Sequence, residues 1–516
     1  MIPAYTGTQI RAAEQPLLEA GEGPSLMRQA AFGLAQHTMD LLRARRGRVY
    51  GSSAAALVGT GNNGGDALLA LALMARRGVA CTAILTGEKA HAEGLAALRK
   101  AGGKLVRTVN SADTRQRSRS NRWREANQVI AGADVLIDAV LGTGARGAVE
   151  LPKISPETLV VACDLPSGVD ADTGQAHGGV LPANLTVTFG ALKVGLAVGE
   201  GRLLAGRVEV VDIGLGPHLG KPELHVLEPG DAARTLPRPA QSVHKYSRGV
   251  LGLVAGSAQY PGAALLTATA AVNTGLGMLR TVSVPEIGPL LAQRVPEAIP
   301  APDATAHVQA WAVGPGIGED PLQAKNAAVA IGTGLPCVVD ASALRTFQPE
   351  QGHGRLVLTP HAGELEDLLN RAGLRVDRTA IERDPLRWAR WAAVGYSSVV
   401  LLKGPTTVCV SPDGYAVVIS AGGPELATAG SGDVLTGILG ALLAVQPVQP
   451  SPYELARLAA TAVLVHGTAG RLAGPGPFGA SGLAEAVPEA LHAAAAGESV
   501  FNSTSRVINS GSKEIA

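Results

Sequence analysis

Through its first half the chain alternates short apolar runs with longer segments of helical character. Residues 55–58 read as a strand, followed by a glycine loop and a helix over 68–77. Residues 79–85 read as a strand and 90–100 as a helix. The runs at 135–138 and 159–162 are short and apolar on both faces, as buried parallel strands are. Residues 185–189 and 208–213 complete a sheet. Strand and helix in alternation predict a Rossmann-like, doubly wound α/β domain. Residues 107–128 are polar and arginine-rich and read as a solvated loop leading into a helix.

Residues 214–247 carry five prolines and little periodicity, so the domain boundary falls there. Beyond it the α/β style returns without repeating the sequence. A strand at 250–254, a loop at 256–262 and a small-residue helix at 263–274 come first. Strands follow at 311–313, 337–340, 356–358 and 399–402. Residues 408–410 and 416–419, separated by Ser411-Pro412-Asp413-Gly414, read as a hairpin. The division predicted is an N-terminal domain over 1–220, a C-terminal domain over 221–495 and a polar, disordered tail over 496–516.

The 516 residues are enough for at least two domains. A hydrophobic content of 46% excludes a disordered chain. The 44 basic and 43 acidic residues nearly cancel, so charge points to neither a nucleic-acid nor a membrane partner. Cys81, Cys163, Cys337 and Cys409 each sit in an apolar run without metal-ligand spacing and read as buried thiols. The first residues lack the charged-then-apolar pattern of a secretory leader. The most apolar helix candidate, 263–279, falls short of a membrane span. A cytoplasmic location is therefore expected.

The most informative stretch is 427–437, ATAGSGDVLTG. A glycine-rich turn meets the start of an apolar helix near Asp433. Such a turn directs N–H groups inward, and the helix adds its positive end, so Gly430, Ser431 and Gly432 could hold a phosphate. Asp433 then stands where a base could take a proton from a hydroxyl facing that phosphate. An acidic helix cap explains the same residues without chemistry. Upstream, Lys403, Gly404, Pro405, Thr406 and Thr407 follow an apolar run, placing a cation and hydroxyls at a strand end. The pair GPTT and GSGD resembles the ribokinase-like superfamily, whose anion hole and catalytic aspartate lie on such a turn.

In the first half, the segment 59–66, GTGNNGGD, follows a strand and opens a helix. Its glycines allow close backbone approach to a phosphate, and Asn62, Asn63 and Asp66 add side-chain oxygens around Gly64 and Gly65. Ordinary Asn-Gly turn chemistry is the plain alternative. Two more strand ends, after Asp138 and after Cys163, converge on the same sheet edge in this fold. Asn63, Asp138 and Ser167 offer hard oxygens suited to a monovalent cation, which leaves Asp164 for acid–base work.

The runs GTGNNGGD (59–66), DAVLGTGARG (138–147), CDLPSGVDADTG (163–174) and TVTFGALKVGL (186–196) resemble the epimerase domain of the NAD(P)H-hydrate repair enzymes. Ala67 stands where that family usually has glycine. The runs HKYSRG (244–249), AGS (255–257), YPGAA (260–264), GPGIG (314–318), LTPHAGE (358–364), LKGPTT (402–407) and ATAGSGDVLTG resemble the dehydratase domain of the same family. Ser342 stands where aspartate is usual, though Asp340 is kept.

The resemblance implies potassium held by Asn63, Asp138 and Ser167. It implies epimerase substrate contacts from Asn62 to Asp66, from Asp164, and from Gly142, Thr143, Gly144, Ala145, Arg146, Gly147 and Ala148. Ala263, Gly316, His361 and Asp433 match dehydratase substrate positions, and Lys403 to Thr407 with Gly430 to Gly432 match nucleotide positions. Hydrated NADH or NADPH would be the substrate, ADP or ATP the co-substrate, magnesium a further cofactor and a homo-oligomer the assembly. Asp433 and Asp164 would be the catalytic residues. Two rivals remain: a small-molecule kinase of the hydroxymethylpyrimidine or thiazole type, and an N-terminal half that binds without catalysing.

Overall fold

The computed structural model describes residues 1–108, 123–144, 149–237, 244–246, 248–446, 449–474, 476–498 and 505–508. The chain divides into two compact units. One comprises residues 2–223 with 503–516, the other Met1 with 224–502.

In the N-terminal unit, strands β1 (Ile2–Tyr5), β2 (Ser53–Val58), β3 (Ala80–Leu85), β4 (Lys104–Arg107), β5 (Val135–Ala139), β6 (Leu159–Cys163), β7 (Leu185–Phe189), β8 (Leu192–Lys193) and β9 (Arg207–Val211) follow in order. The main sheet places β9, β7, β6, β5, β2, β3 and β4 side by side, all parallel. β1 and β8 pair with each other in parallel. Strand β2 shows why this sheet is doubly wound. Ala54, Ala56 and Val58 enter one buried cluster, and Ala55 and Leu57 enter another on the opposite face. A strand covered on both faces needs apolar residues at every position, which is the pattern its sequence carries.

The C-terminal unit contains β10 (Leu224–Val226), β11 (Val250–Val254), β12 (Met278–Val282), β13 (Ala298–Pro300), β14 (Ala310–Val313), β15 (Cys337–Val339), β16 (Leu356–Leu358), β17 (Val399–Leu402), β18 (Thr407–Val410) and β19 (Ala416–Ile419). Their order is β13-β12-β11-β14-β15-β16-β17-β18-β19-β10. All neighbours are parallel except β17 with β18 and β18 with β19, the expected hairpin. The buried helices Ser431–Ala444 and Pro452–Leu472 carry much of this unit's core. The expectation of α/β units with parallel sheets is met. No described helix is long and apolar enough to cross a membrane.

Three local expectations are corrected. The first helix after β2 begins at Asn62 rather than near residue 68, because the Asn-Asn-Gly-Gly run forms its opening turn. The helix after the GSGD turn begins at Ser431. Within the tail, β20 (Ser505–Ile508) pairs in parallel with β9, where a sheet edge supplies backbone partners that a polar sequence does not advertise. Residues 499–504 and 509–516 lie outside the described residues, as does 109–122 of the arginine-rich segment.

Candidate active sites

In each unit the chain leaves the sheet centre, builds one edge and returns, so two neighbouring strands diverge toward opposite sides. The N-terminal switch lies between β2 and β5, the C-terminal switch between β11 and β14. Crevices at such points, at the carboxyl ends of the strands, are where α/β sheets bind ligands.

At the N-terminal switch a cavity of about 450 Å³ opens, lined by Asn62, Asn63 and Asp66 after β2 and by Gly142, Thr143 and Gly144 after β5. The helix Asn62–Ala75 starts here, and the first N–H groups of a helix have no partner within it. A Cβ on Gly64 would collide with the Gly59 carbonyl, so only glycine lets this helix start so close to the strand. Gly64 and Gly65 shape the turn from behind the cavity wall. Ala145 to Ala148 lie outside the described residues.

Asp164 lines the same cavity directly after β6, with φ +70°. A non-glycine residue in this region is strained, and such strain collects at functional sites. Its Oδ2 accepts from Thr143 Oγ1 at 2.5 Å and Thr143 N at 3.1 Å. Its Oδ1 accepts from Thr188 Oγ1 at 3.0 Å and pairs with Lys193 Nζ at 2.7 Å. Burial would raise its pKa, but the Lys193 charge and these donors outweigh burial and hold the carboxyl below its ordinary value. Asp164 is thus a fixed anion with both oxygens engaged. No sequence motif singles out Lys193. A lone lysine inside the apolar run of residues 186–196 was the available signal, since a buried lysine must be paired. Its Nζ also donates to the Phe189 carbonyl at 2.6 Å.

Asp138 is fully buried in β5. Ser167 donates to it twice, Oγ to Oδ1 at 2.6 Å and N to Oδ2 at 2.8 Å. Burial raises its pKa, and the Ser167 bonds offset part of that rise. Asn63 turns its Nδ2 to the carbonyls of Leu141 at 3.2 Å and Cys163 at 2.8 Å. Leu141 N donates to Ser167 Oγ at 2.9 Å, so Asn63, Asp138 and Ser167 meet around one short stretch of backbone.

In the C-terminal unit Asp340 follows β15, His361 follows β16 and Lys403 follows β17, three adjacent strand ends. Lys403 Nζ lies 2.9 Å from Asp340 Oδ1 and 3.6 Å from Glu364 Oε2. Thr436 Oγ1 donates to Asp340 Oδ2 at 2.7 Å, tying this pair to the GSGD helix. Burial would lower the Lys403 pKa, but Asp340 and Glu364 more than reverse it. Gly430, with φ +88°, caps the helix Ser431–Ala444, and Leu266 fills the space a side chain there would need. Asp433 stands in the first turn. Burial, then the nearby Asp340 charge, push its carboxyl up to about 6 against the pull of Lys403. Ser431 is tied down by His466, whose Nε2 lies 3.1 Å from its Oγ. Burial lowers His466 to about 4, which keeps it neutral.

His361 caps the helix Ala362–Arg371, its Nδ1 accepting from Gly363 N and Glu364 N at 3.1 Å. Its backbone bridges to Lys403, which brings the two predicted loops together. Ala263 and Gly316 form a separate contact at the switch point, where a Cβ on Gly316 would lie 2.5 Å from Ala263 Cβ. Gly404 and Pro405 turn into β18, and Thr406 Oγ1 meets Ser420 Oγ at 2.9 Å rather than the Asp433 cluster. Thr407 Oγ1 reaches back to the Gly404 carbonyl at 3.5 Å. Ser342, at the start of the helix Ser342–Thr346, leaves the carboxylate role to Asp340.

Two α/β units, each with an aspartate–lysine pair at its strand ends, define a two-site α/β enzyme. Residues 23–195 match the family described as YjeF-related protein N-terminus, and 251–478 match that described as NAD(P)H-hydrate dehydratase. The bifunctional NAD(P)H-hydrate repair enzyme Nnr of Mycobacterium tuberculosis is 40% identical over 457 residues, covering 85% of this chain and 89% of the relative. The enzyme of that name from Mycobacterium leprae is 37% identical over 488 residues, covering 92% and 95%. The solved ADP/ATP-dependent NAD(P)H-hydrate dehydratase of Bacillus subtilis, co-crystallised with ATP and Mg2+, is 27% identical with a TM-score of 0.47, covering 52% of this chain and 99% of that one. The chain belongs to the family of bifunctional NAD(P)H-hydrate repair enzymes.

Proposed function

We propose that this chain repairs NADH and NADPH that have taken up water across the C5–C6 bond of the nicotinamide ring. The hydrates are two epimers at C6. The N-terminal unit interconverts them, and the C-terminal unit dehydrates the S epimer with ADP, giving AMP and phosphate. ATP is the alternative donor. The observation that carries the proposal is Asp433, a carboxylate raised to about 6 at a helix N-terminus and beside the Lys403–Asp340 pair.

Hydroxide is a poor leaving group, and phosphorylation makes it a good one. Asp433 takes the proton from the C6 hydroxyl, and the freed oxygen attacks the terminal phosphoryl of the nucleotide. The N–H groups of the turn at Gly430, Ser431 and Gly432, together with Lys403, stabilise the charge that develops. The C6–O bond then breaks as the ring nitrogen lone pair moves in, and loss of a C5 proton restores the double bond. His361 and the Ala263–Gly316 contact would border the substrate, and Thr406 and Thr407 the nucleotide. Magnesium would arrive on the nucleotide's phosphates, which need few protein ligands to hold it.

In the N-terminal unit, Asp164 and Thr143 would anchor the substrate, with Lys193 paired to Asp164. Asn63, Asp138 and Ser167 suit potassium: Asp138 is a buried carboxylate without an ion-pair partner among the described residues, and carbonyls converge on Asn63. Bound there, potassium would supply positive charge for a substrate phosphate. The chain would act in the cytoplasm as a homo-oligomer.

The test is to incubate each separated epimer of hydrated NADH with the full chain. The R epimer should convert to a mixture without nucleotide, and NADH should appear only with ADP or ATP. A stable phosphorylated product instead of NADH would mark a small-molecule kinase.

A further inference from the structure

The helix Gly7–Glu19 walls one side of the N-terminal cavity, and Ile10, Glu14 and Leu18 line it at the four-residue spacing of one helix face. The helix lies before the segment matched by the N-terminal family model, which begins at residue 23. It is held firmly against the site. Gly7 N donates to Asp172 Oδ1 at 2.6 Å, and Arg11 Nη1 donates to the Thr143 carbonyl at 2.9 Å. A Cβ on Gly7 would come within 2.8 Å of Thr143 Cγ2, so the helix start packs closely on Thr143.

Epimerisation at C6 needs a group that gives and recovers a proton. Asp164 is poorly suited, because four donors occupy its two oxygens. Lys193 is committed to Asp164 and the Phe189 carbonyl. Asp66 also lines the cavity, but it is only 5% exposed. Glu14 is half-buried, lines the cavity and has no hydrogen-bond or ion-pair partner among the described residues.

Given that the N-terminal unit epimerises the hydrate, as proposed above, we infer that Glu14 is its proton-transfer residue. The Glu14 carboxylic acid gives its proton to the C6 hydroxyl. The C6–O bond breaks, water leaves, and the ring nitrogen lone pair forms a C=N bond. Water then adds to C6 from the opposite face, the C=N electrons return to nitrogen, and the extra proton of the added water returns to Glu14. Nothing is consumed, and only the configuration at C6 changes.

The charges around Glu14 suit an acid. Arg11 lies on its own helix, Lys193 and Asp164 lie across the cavity, and Asp66 lies on the helix after β2. Burial has the largest influence and raises the carboxyl. Lys193 draws it down, Asp164 pushes it up and Arg11 draws it down, leaving it above its ordinary value.

The experiment uses the full chain without nucleotide and follows R-to-S interconversion of hydrated NADH by chromatography. Glu14→Gln should lower kcat by ~10²–10⁴-fold with KM little changed. Glu14→Asp should keep part of the rate. In wild type kcat should fall as pH rises and the acid form is lost, and Glu14→Gln should lose that limb. A Glu14→Gln chain with wild-type kcat, or with raised KM alone, would overturn the assignment while leaving the epimerase function standing. A wild-type chain that cannot interconvert the epimers would overturn that function and the assignment with it.

Discussion

Lys193 Nζ lies 2.7 Å from Asp164 Oδ1, and the two side chains are only 2% and 6% exposed. Breaking a buried ion pair by removing one member typically costs ~3–5 kcal/mol, because the other charge stays buried without compensation. Lys193→Met should therefore destabilise the N-terminal unit by about that amount. Adding Asp164→Asn to Lys193→Met should restore much of the loss. Denaturant melts of the two single variants and the double variant measure the coupling, and additive losses would mean the two charges do not depend on each other.

Asp164→Asn should impair epimerisation and spare dehydration. The amide keeps the shape but loses the charge that holds Thr143 and Lys193, a loss of order ~10²-fold. In the presence of ADP the variant should consume the S hydrate at the wild-type rate. The R hydrate should then disappear at little more than its spontaneous rate of epimerisation. Wild-type consumption of both epimers would remove Asp164 from the site.

Asp433→Asn should lower dehydration by ~10²–10⁴-fold, since an amide cannot take the proton. The same change should stabilise the C-terminal unit at neutral pH. The folded pKa of Asp433 is raised to about 6, so the folded state bears a penalty once the group ionises. That penalty is complete above pH ~6 and vanishes as pH falls toward the unfolded value near ~4. The gain in Tm from Asp433→Asn should shrink over that window. A gain that does not change with pH would contradict the raised pKa.

Wild-type kcat/KM for dehydration should rise with pH through about 6 and then level, as the base loses its proton. A rate that falls across that range would give Asp433 the opposite role.

Much of the architecture was legible because buried parallel strands are apolar at every position, as residues 54–58 and 399–402 are. Short strands at sheet margins, such as β8 and β13, are too brief to show a period. The helix start at Asn62 was hidden by asparagines and glycines, which form helices poorly and are accepted here because the helix starts too close to the strand for a side chain at Gly64. Asp433, Lys403 and Asp164 could be read because each sits on a strand end or turn with a recognisable motif. Lys193 and Glu14 could not be read so directly. One lies in an apolar run and the other on a helix before the first motif, and only the folded chain brings them to Asp164.

The most direct test of two coupled repair sites in one chain is the return of the near-ultraviolet absorbance of reduced nicotinamide from a mixture of both hydrates. With ADP the full chain should recover nearly all of it, in one continuous course, because R is fed into S as S is consumed. Without nucleotide no absorbance should return. Recovery that stops when the S epimer is exhausted, or that proceeds equally well without ADP or ATP, would contradict the account.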